Sequence, residues 1–519
     1  MRSKPTPTQT PRPDATEAPS ANSGAFRRKG LHQNQEFSLR NALNIIERKY
    51  SLPSAWITYR TFLLAALLLL PAACAGQAPE VALTPQVFDP PAEPMYTGSL
   101  LPSEGREEYD YFGGSLDIDG DVLVTGAPRW NSPGSAAGRA YIFRRSAGGE
   151  WRTEATLASS DREDGFQYDQ HFGASVAVNS TEPLVPPVVA VGAPGADDPQ
   201  AGDNTGAVYL FEYDVNHWVE TTRLAPSRSP GAKIGGEVAL SGNILAVSGS
   251  PKAGEVYTFQ REAGVWRELA PITVPASPDG EPSSVLLDLY GDTLALSTFT
   301  VQPVEEGEEG QPQKRTGIIT LYDRSGDQWK QIFQTPPQEA FAPIVSDGFT
   351  AWEENPFGIQ VSIGGERGQA SWLAVGKPGF TGFDSIYGGK PGLDPVHGSV
   401  VVYERGDRGW VALAELRLAP GELVAGALPF FSSDPAAAFF GSSVDIEGSR
   451  LAVIATFANT VDIFERQGRE WVYRYRISPG TDYGDDFQLR TVAMSGSTLL
   501  QGSPGELGGG EIFVFSLPP

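Results

Sequence analysis

Phe112-Gly113-Gly114-Ser115-Leu116-Asp117-Ile118-Asp119-Gly120-Asp121-Val122-Leu123-Val124-Thr125-Gly126-Ala127-Pro128 is the stretch on which the fold turns. Two short runs of alternating apolar and polar residues are bounded by Gly, Asp and Pro, a strand period and not a helical one. Asp119-Gly120-Asp121 joins them as a tight hairpin. Pro128 falls just past the second run, where a ladder can end without losing a donor. Ala140-Tyr141-Ile142-Phe143 and the run from Trp151 to Leu157 supply two further strands of the same kind.

This unit of four strands, numbered 1 to 4 from here on, recurs to the end of the chain. Copy two has Phe172-Gly173, Gly192-Ala193-Pro194, Tyr209-Leu210-Phe211 and Trp218. Copy three has Ile234-Gly235, Ser241-Gly242-Asn243, Gly249-Ser250-Pro251, Tyr257-Thr258-Phe259 and Trp266. Copy four starts irregularly at Ser283-Ser284 but keeps Tyr290-Gly291-Asp292, Leu321-Tyr322 and Trp329. Copy five has Phe357-Gly358, Gly376-Lys377-Pro378, Tyr403 and Trp410; copy six has Phe440-Gly441, Phe464 and Trp471. Copy seven has Gly496, Gly502-Ser503-Pro504 and Phe513-Val514-Phe515, then stops without a strand 4. Four short strands cannot bury both their faces, so the sheets must stack, and radial stacking predicts an all-β, seven-bladed β-propeller of four-stranded antiparallel blades. Met95–Leu101, with Gly98-Ser99-Leu100-Leu101, reads as an unattached strand 4 that closes blade seven and removes the open edges.

Phe-Gly followed one strand-turn-strand later by Gly-Ala-Pro resembles the FG-GAP repeat of integrin α-subunit propellers and, more closely, that of bacterial surface proteins. The resemblance covers residues 98–519, with Phe-Gly intact in four copies and Gly-x-Pro in five. It implies that the face carrying the 2–3 loops and 4–1 links binds ligand. Integrin-like blades hold calcium in an Asp-rich loop between strands 1 and 2. Here Asp117, Asp119 and Asp121 surround a tight turn with the wrong spacing for that cage, so the family calcium loop is absent; calcium stays open as an alternative, and no other cofactor is expected. The phenylalanines of Phe-Gly should wedge between blades. The tryptophans at 151, 218, 266, 329, 410 and 471 recur once per blade and read as packing residues.

Ahead of the repeats the chain changes character. Residues 1–73 carry 10 Lys and Arg against 4 Asp and Glu, leaving 29 against 59 in the rest, a charge of −30. A body that acidic excludes nucleic-acid binding through a basic face. Residues 1–49 read as a disordered leader or an over-called start. In residues 50–74, Arg60, the apolar run Phe62–Leu70 and Pro71-Ala72-Ala73-Cys74 form a signal peptide whose end resembles a bacterial lipobox. Cys74 is then the lipidation site, with plain cleavage after Ala75 as the competing reading. Residues 75–97 are a Pro-rich tether. The expected location is the bacterial cell surface or envelope, with membrane contact through the lipid anchor only.

Connection lengths are lopsided. The 3–4 turns are short, whereas Arg129–Gly138, Gly195–Thr205, Thr300–Thr316, Gly379–Gly398, Pro336–Pro356 and Pro420–Ala438 are long. These belong to the 2–3 and 4–1 face, and long loops with no structure of their own in a compact fold are usually functional or disordered. Candidate ligand-binding residues there, read as exposed aromatics with polar neighbours, are Trp130, Trp352, Phe380, Phe383, Tyr387, Lys390, Asp394, His397, Phe430 and Phe431. Aromatic platforms beside carboxylates suit protein or carbohydrate recognition. Asp161, Glu163, Asp164 and Asp169, and Asp197, Asp198 and Asp203, read as solvated surface, with chelation of a cation as the alternative; the run Glu305-Glu306-Gly307-Glu308-Glu309 reads as a solvated, mobile loop. Histidine occurs only at 32, 171, 217 and 397, and no nucleophile-elbow, zincin or phosphate-loop motif is present. The sequence therefore points to a non-catalytic binding or adhesion module. The alternatives are a propeller hydrolase or lyase acting on polysaccharide through two carboxylates, and a structural component of the cell envelope.

Overall fold

The computed structural model describes residues 86–88, 96–102, 110–130, 137–160, 170–180, 186–197, 204–225, 232–250, 254–275, 284–301, 313–342, 360–366, 368–378, 398–418, 440–456, 459–478, 491–505 and 510–518. They form seven sheets, each built on four antiparallel strands. The innermost strands are Ser115–Asp119, Ser175–Asn179, Glu237–Ser241, Ser284–Tyr290, Val361–Glu366, Phe440–Glu447 and Thr491–Ser495. Each neighbours the next, and the seventh neighbours the first, so the ring is closed. The protein is a seven-bladed β-propeller.

Tyr96–Leu100 is the missing outer strand of blade seven, pairing antiparallel with Glu511–Ser516 from Tyr96 opposite Phe515 to Leu100 opposite Ile512. The Thr97 hydroxyl donates to the Val514 carbonyl at 2.7 Å. Upstream, Gln86–Phe88 pairs parallel with Gly409–Leu418, the outermost strand of blade five. Part of the stretch read as a tether is therefore hydrogen-bonded to the propeller.

The tight turns form as their residues dictate. Gly120, Gly242, Gly291, Gly448 and Gly496 each open a two-residue 1–2 hairpin with φ between 55° and 63°. That is the left-handed region glycine enters without steric cost.

Two readings need correction. Alternation does not hold on the second strands: Val122–Ala127 and Val188–Ala193 are buried at every residue. A neighbouring blade covers each face, so both sets of side chains must be apolar or small. The segment Thr300–Thr316 is not a loop throughout either. Strands 2 and 3 of blade four run on to Val301 and back to Gln313, with Val301 opposite Arg315. Gln338–Ala342, from the stretch read as the Pro336–Pro356 loop, adds to the same strand, Gln338 opposite Gly317. The break at Thr335-Pro336-Pro337 splits the outer strand in two, because proline cannot donate to the ladder.

There is no single core. Seven apolar clusters each straddle two neighbouring blades. Phe112 joins blade seven to blade one, Phe172 joins one to two, and Phe440 joins five to six, all fully buried. Trp471 is fully buried, Trp266 and Trp410 nearly so, and Trp151, Trp218 and Trp329 pack partly buried against the same clusters.

The Phe-Gly and Gly-x-Pro glycines meet each other across the blades. Gly113, Gly173, Gly235 and Gly441 adopt φ from 85° to 91°. Each turns its carbonyl onto the strand-2 glycine of the preceding blade. A Cβ on Gly126 would stand 1.9 Å from the Gly173 oxygen, and one on Gly192 2.1 Å from the Gly235 oxygen. On Gly376 and Gly502 the corresponding distances, to the Gly441 and Gly113 oxygens, are both 2.2 Å. Ser115, Ser175 and Thr491 donate hydroxyl hydrogen bonds of 2.8–2.9 Å to the Gly173, Gly235 and Gly113 carbonyls. The repeat motif is thus one inter-blade joint written in two pieces.

Ion pairs add a belt further out. Acids following the strand-3 aromatic pair with an arginine of the next blade: Glu212 with Arg261 at 2.5 Å, Asp323 with Arg405 at 2.6 Å, Glu404 with Arg466 at 3.3 Å. The Glu212–Arg261 side chains are only 15% and 10% exposed, against 27% and 38% for Asp323–Arg405. Removing one partner of a shielded pair strands the other charge. Chemical denaturation should therefore show Arg261→Ala costing about 2 kcal/mol or more, and Arg405→Ala less than about 1 kcal/mol.

Candidate functional site

Strand polarity puts every 2–3 loop and 4–1 link on one face and the 1–2 and 3–4 turns on the other. Apart from the 1–2 connection of blade two (residues 180–187), the turn face is built mostly of two-residue turns. The opposite face takes the long segments, including 378–398 in blade five and 419–439 between blades five and six.

Of the ten candidate ligand-binding residues, Trp130 alone falls among the described residues, and it is not the exposed aromatic expected. It is 6% exposed and packs with Phe112, Tyr141 and Phe143. The Arg139 guanidinium lies 3.3 Å over its ring, closing off the face that a platform would offer. The backbone explains this. The Trp130 N–H donates to Ala127 and its carbonyl accepts from Gly138, folding the residue back onto blade one. Trp352, Phe380, Phe383, Tyr387, Lys390, Asp394, His397, Phe430 and Phe431 lie outside the described residues, as do Cys74, Phe357 and Gly358.

The remaining acids and histidines are accounted for locally. Asp197 accepts the Asn204 N–H at 2.7 Å, while Asp161, Glu163, Asp164, Asp169, Asp198, Asp203 and the run from Glu305 to Glu309 lie outside the described residues. His171, with φ 53°, accepts the Ala174 N–H through its carbonyl as the chain enters blade two. His217 is exposed at a 3–4 turn, opposite Asp214. Among the described residues no group of His, Cys, Asp and Glu is placed to hold a metal ion.

The feature that sequence reading passed over lies on the axis. Asp117, Asp288 and Asp445 occupy one register position, three residues before the turn glycines Gly120, Gly291 and Gly448. Each reaches the innermost strand of the following blade. Asp117 accepts N–H bonds from Ile118 at 2.8 Å and Val178 at 2.7 Å, and Asp288 from Leu289 at 2.7 Å and Ile363 at 2.8 Å. Asp445 accepts from Met494 at 2.5 Å and from the Ser362 hydroxyl at 3.2 Å. One register nearer the turns, Asp119 accepts from Ser180, and Glu447 from Gly496.

Each axial carboxyl is half-buried, and this partial removal from water is the largest cause of its raised pKa. It pushes Asp117 up to about 7, against the two N–H bonds that lower it, with the charges of Asp119 and Asp288 adding to the rise. Asp288 is pushed up to about 6 by burial. Asp445 is pushed up to about 8 by burial, with Asp288, Glu447 and Asp117 repelling it. Glu237, on the innermost strand of blade three, is pushed up to about 7 by burial and then by Asp288. The carboxyls therefore feel one another along the axis. An acid three residues before the turn glycine in copies one, four and six is the sequence signal that finds the three aspartates.

Residues 97–143 and 151–211 match the family model described as FG-GAP repeat. Each match starts within or at a strand 4 and runs through strands 1 to 3 of the following blade, so the sequence repeat is offset from the blade by one strand. The chain is a seven-bladed β-propeller, and those two segments of it are similar to the FG-GAP repeat. Comparison with curated proteins finds no match. A chain of the mitotic checkpoint complex crystal structure is similar at 12% identity and TM-score 0.43, over 84% of this chain and 100% of that one. A 6-phosphogluconolactonase candidate from Bacteroides uniformis is similar at 11% identity and TM-score 0.38, over 70% and 85%.

Proposed function

We propose that this chain is a non-catalytic binding module, held at the outer surface of a bacterium through Cys74. In this reading it recognises a protein or carbohydrate on the face of 2–3 loops and 4–1 links. The observation carrying it is the asymmetry of the connections on a closed ring: tight turns at one end of the blades, long segments at the other. A scaffold held by blade-to-blade joints can present such segments while they vary, which is how binding loops are usually borne. The axial carboxyls spend their oxygens on backbone N–H groups and the Ser362 hydroxyl, a bracing role that favours the non-catalytic reading over a carboxylate-dependent hydrolase or lyase.

The test uses the compact unit Val81–Pro519 on glycan arrays and against candidate surface proteins. Variants replace 379–397 or 343–356 with short Gly-Ser turns, leaving Gln338–Ala342 in place. Binding should fall by at least about tenfold in one variant, with the circular dichroism spectrum and melting temperature unchanged. Unaltered binding in both, or turnover of a glycan by the parent, refutes the proposal.

A further inference from the structure

Blade four stands proud of the face of 2–3 loops and 4–1 links. In blade one, strand 2 ends at Ala127, four residues past Leu123, and strand 3 begins at Arg139, four residues before Phe143, which Leu123 faces. The matching pair in blade four is Leu294 and Tyr322, yet strand 2 runs seven residues on to Val301 and strand 3 begins nine residues early, at Gln313. The other five blades follow blade one to within a residue. Three extra residues on strand 2 alone add roughly 10 Å of ladder. Gln338–Ala342 lies antiparallel along the raised part of strand 3, from Gln338 opposite Gly317 to Ala342 opposite Gln313. The three strands make a tab, with Gln338–Ala342 on the side away from the axis.

That outer edge lacks the guard that the other rim strands carry. In blades one, two, four, five, six and seven, strand 4 holds one residue more than the strand 3 opposite it, a bulge at Glu154, Thr221, Ile332, Leu413, Arg474 and Thr97 respectively. Bulges twist an edge and spoil it as a template for further pairing. Blade three keeps its outer strand to four residues, Val265–Glu268, which serves the same end. Gln338–Ala342 pairs residue for residue without a shift, and among the described residues no strand lies on its outer side. The break at Thr335-Pro336-Pro337 separates it from the bulged strand Gln328–Gln334.

We propose that the tab is a strand-acceptor site, and that its ligand is an extended, positively charged peptide segment of another protein, added antiparallel to Gln338–Ala342. The proposal rests on the loop-bearing face being the recognition face, and there it selects protein over carbohydrate. An open edge offers N–H and C=O groups at peptide spacing, which a second peptide main chain completes. The charge of −30 carried from residue 74 onward draws a cationic segment and repels an acidic one. A second copy of this chain, equally acidic, is disfavoured for the same reason.

The probe is a capped ten-residue peptide of alternating Lys and Val, titrated calorimetrically into the Val81–Pro519 unit. The same peptide with its four central amides N-methylated keeps every side chain and charge but cannot complete a ladder, and should bind at least about tenfold more weakly. A Glu and Val peptide of equal length should bind more weakly too. Amide hydrogen exchange should slow within Gln338–Ala342 on adding the parent peptide and stay unchanged at the bulged edge Glu470–Ile477. Equal affinity for the N-methylated peptide, protection appearing at other edges in place of the tab, or no binding at about 1 mM overturns the proposal. Because the readout is taken at the tab, glycan turnover by the parent would strike the non-catalytic reading of the face without touching this result. A failure here would leave that reading standing with a ligand of another kind.

Discussion

Gly126→Val is expected to stop the propeller from assembling, while Gly148→Val is expected to be nearly silent. The Gly126 backbone is not in the left-handed region, so the cost is steric. Its new Cβ alone would stand 1.9 Å from the Gly173 carbonyl oxygen and 2.4 Å from the Ser115 hydroxyl oxygen. Neither neighbour can yield freely, since that carbonyl accepts the Ser115 hydroxyl and its residue is bonded into blade two. Overpacking a core typically costs about 1–3 kcal/mol. Here the obstacle is backbone, and opening the joint would strip the Phe172 cluster, so a loss above about 4 kcal/mol is expected. At Gly148 the nearest atom is the Ser146 hydroxyl at 3.7 Å. Urea denaturation of the two variants checks this, and a Gly126→Val protein within about 1 kcal/mol of the parent would refute the joint.

Removing residues 96–100 is expected to make the Val81–Pro519 unit self-associate and aggregate. Blade seven would lose its outer strand and expose the edge of Glu511-Ile512-Phe513-Val514-Phe515-Ser516. That edge is β-branched and aromatic, proline-free and carries a single charge, the profile of a segment that recruits other strands. In the intact chain Tyr96 covers it, with its ring 6.2 Å from Phe513 and 5.9 Å from Phe515. Size-exclusion chromatography with light scattering should show the truncated unit at higher mass than the parent. A peptide spanning 95–102, added in trans during refolding, should return part of it to the parent mass by strand addition. A truncated chain that keeps the parent mass would mean that the ring closes without this strand.

Much of this could be read from the chain because a repeat states its own rules several times. Phe112, Phe172 and Phe440 each come with a glycine, and Gly98-Ser99-Leu100-Leu101 reads like the outer strand of a blade, as its pairing with Glu511–Ser516 shows. The axial aspartates were legible in principle, since Asp117, Asp288 and Asp445 keep one distance from a turn glycine. Their strands lie far apart in the chain, however, and nothing local says that the three meet on an axis. Trp130 misled for the related reason that a loop aromatic looks the same in sequence whether it faces water or folds back under an arginine.

Periodicity and turn chemistry, both local, were enough to settle the strands, their number and the need to close a circle. Which blade each side chain braces, why Gly126 must lack a Cβ, and how the axial carboxyls reach the next blade follow from contacts between residues 49 to 75 apart. Such contacts exist only once all seven sheets stand together, because each sheet's faces are completed by its neighbours.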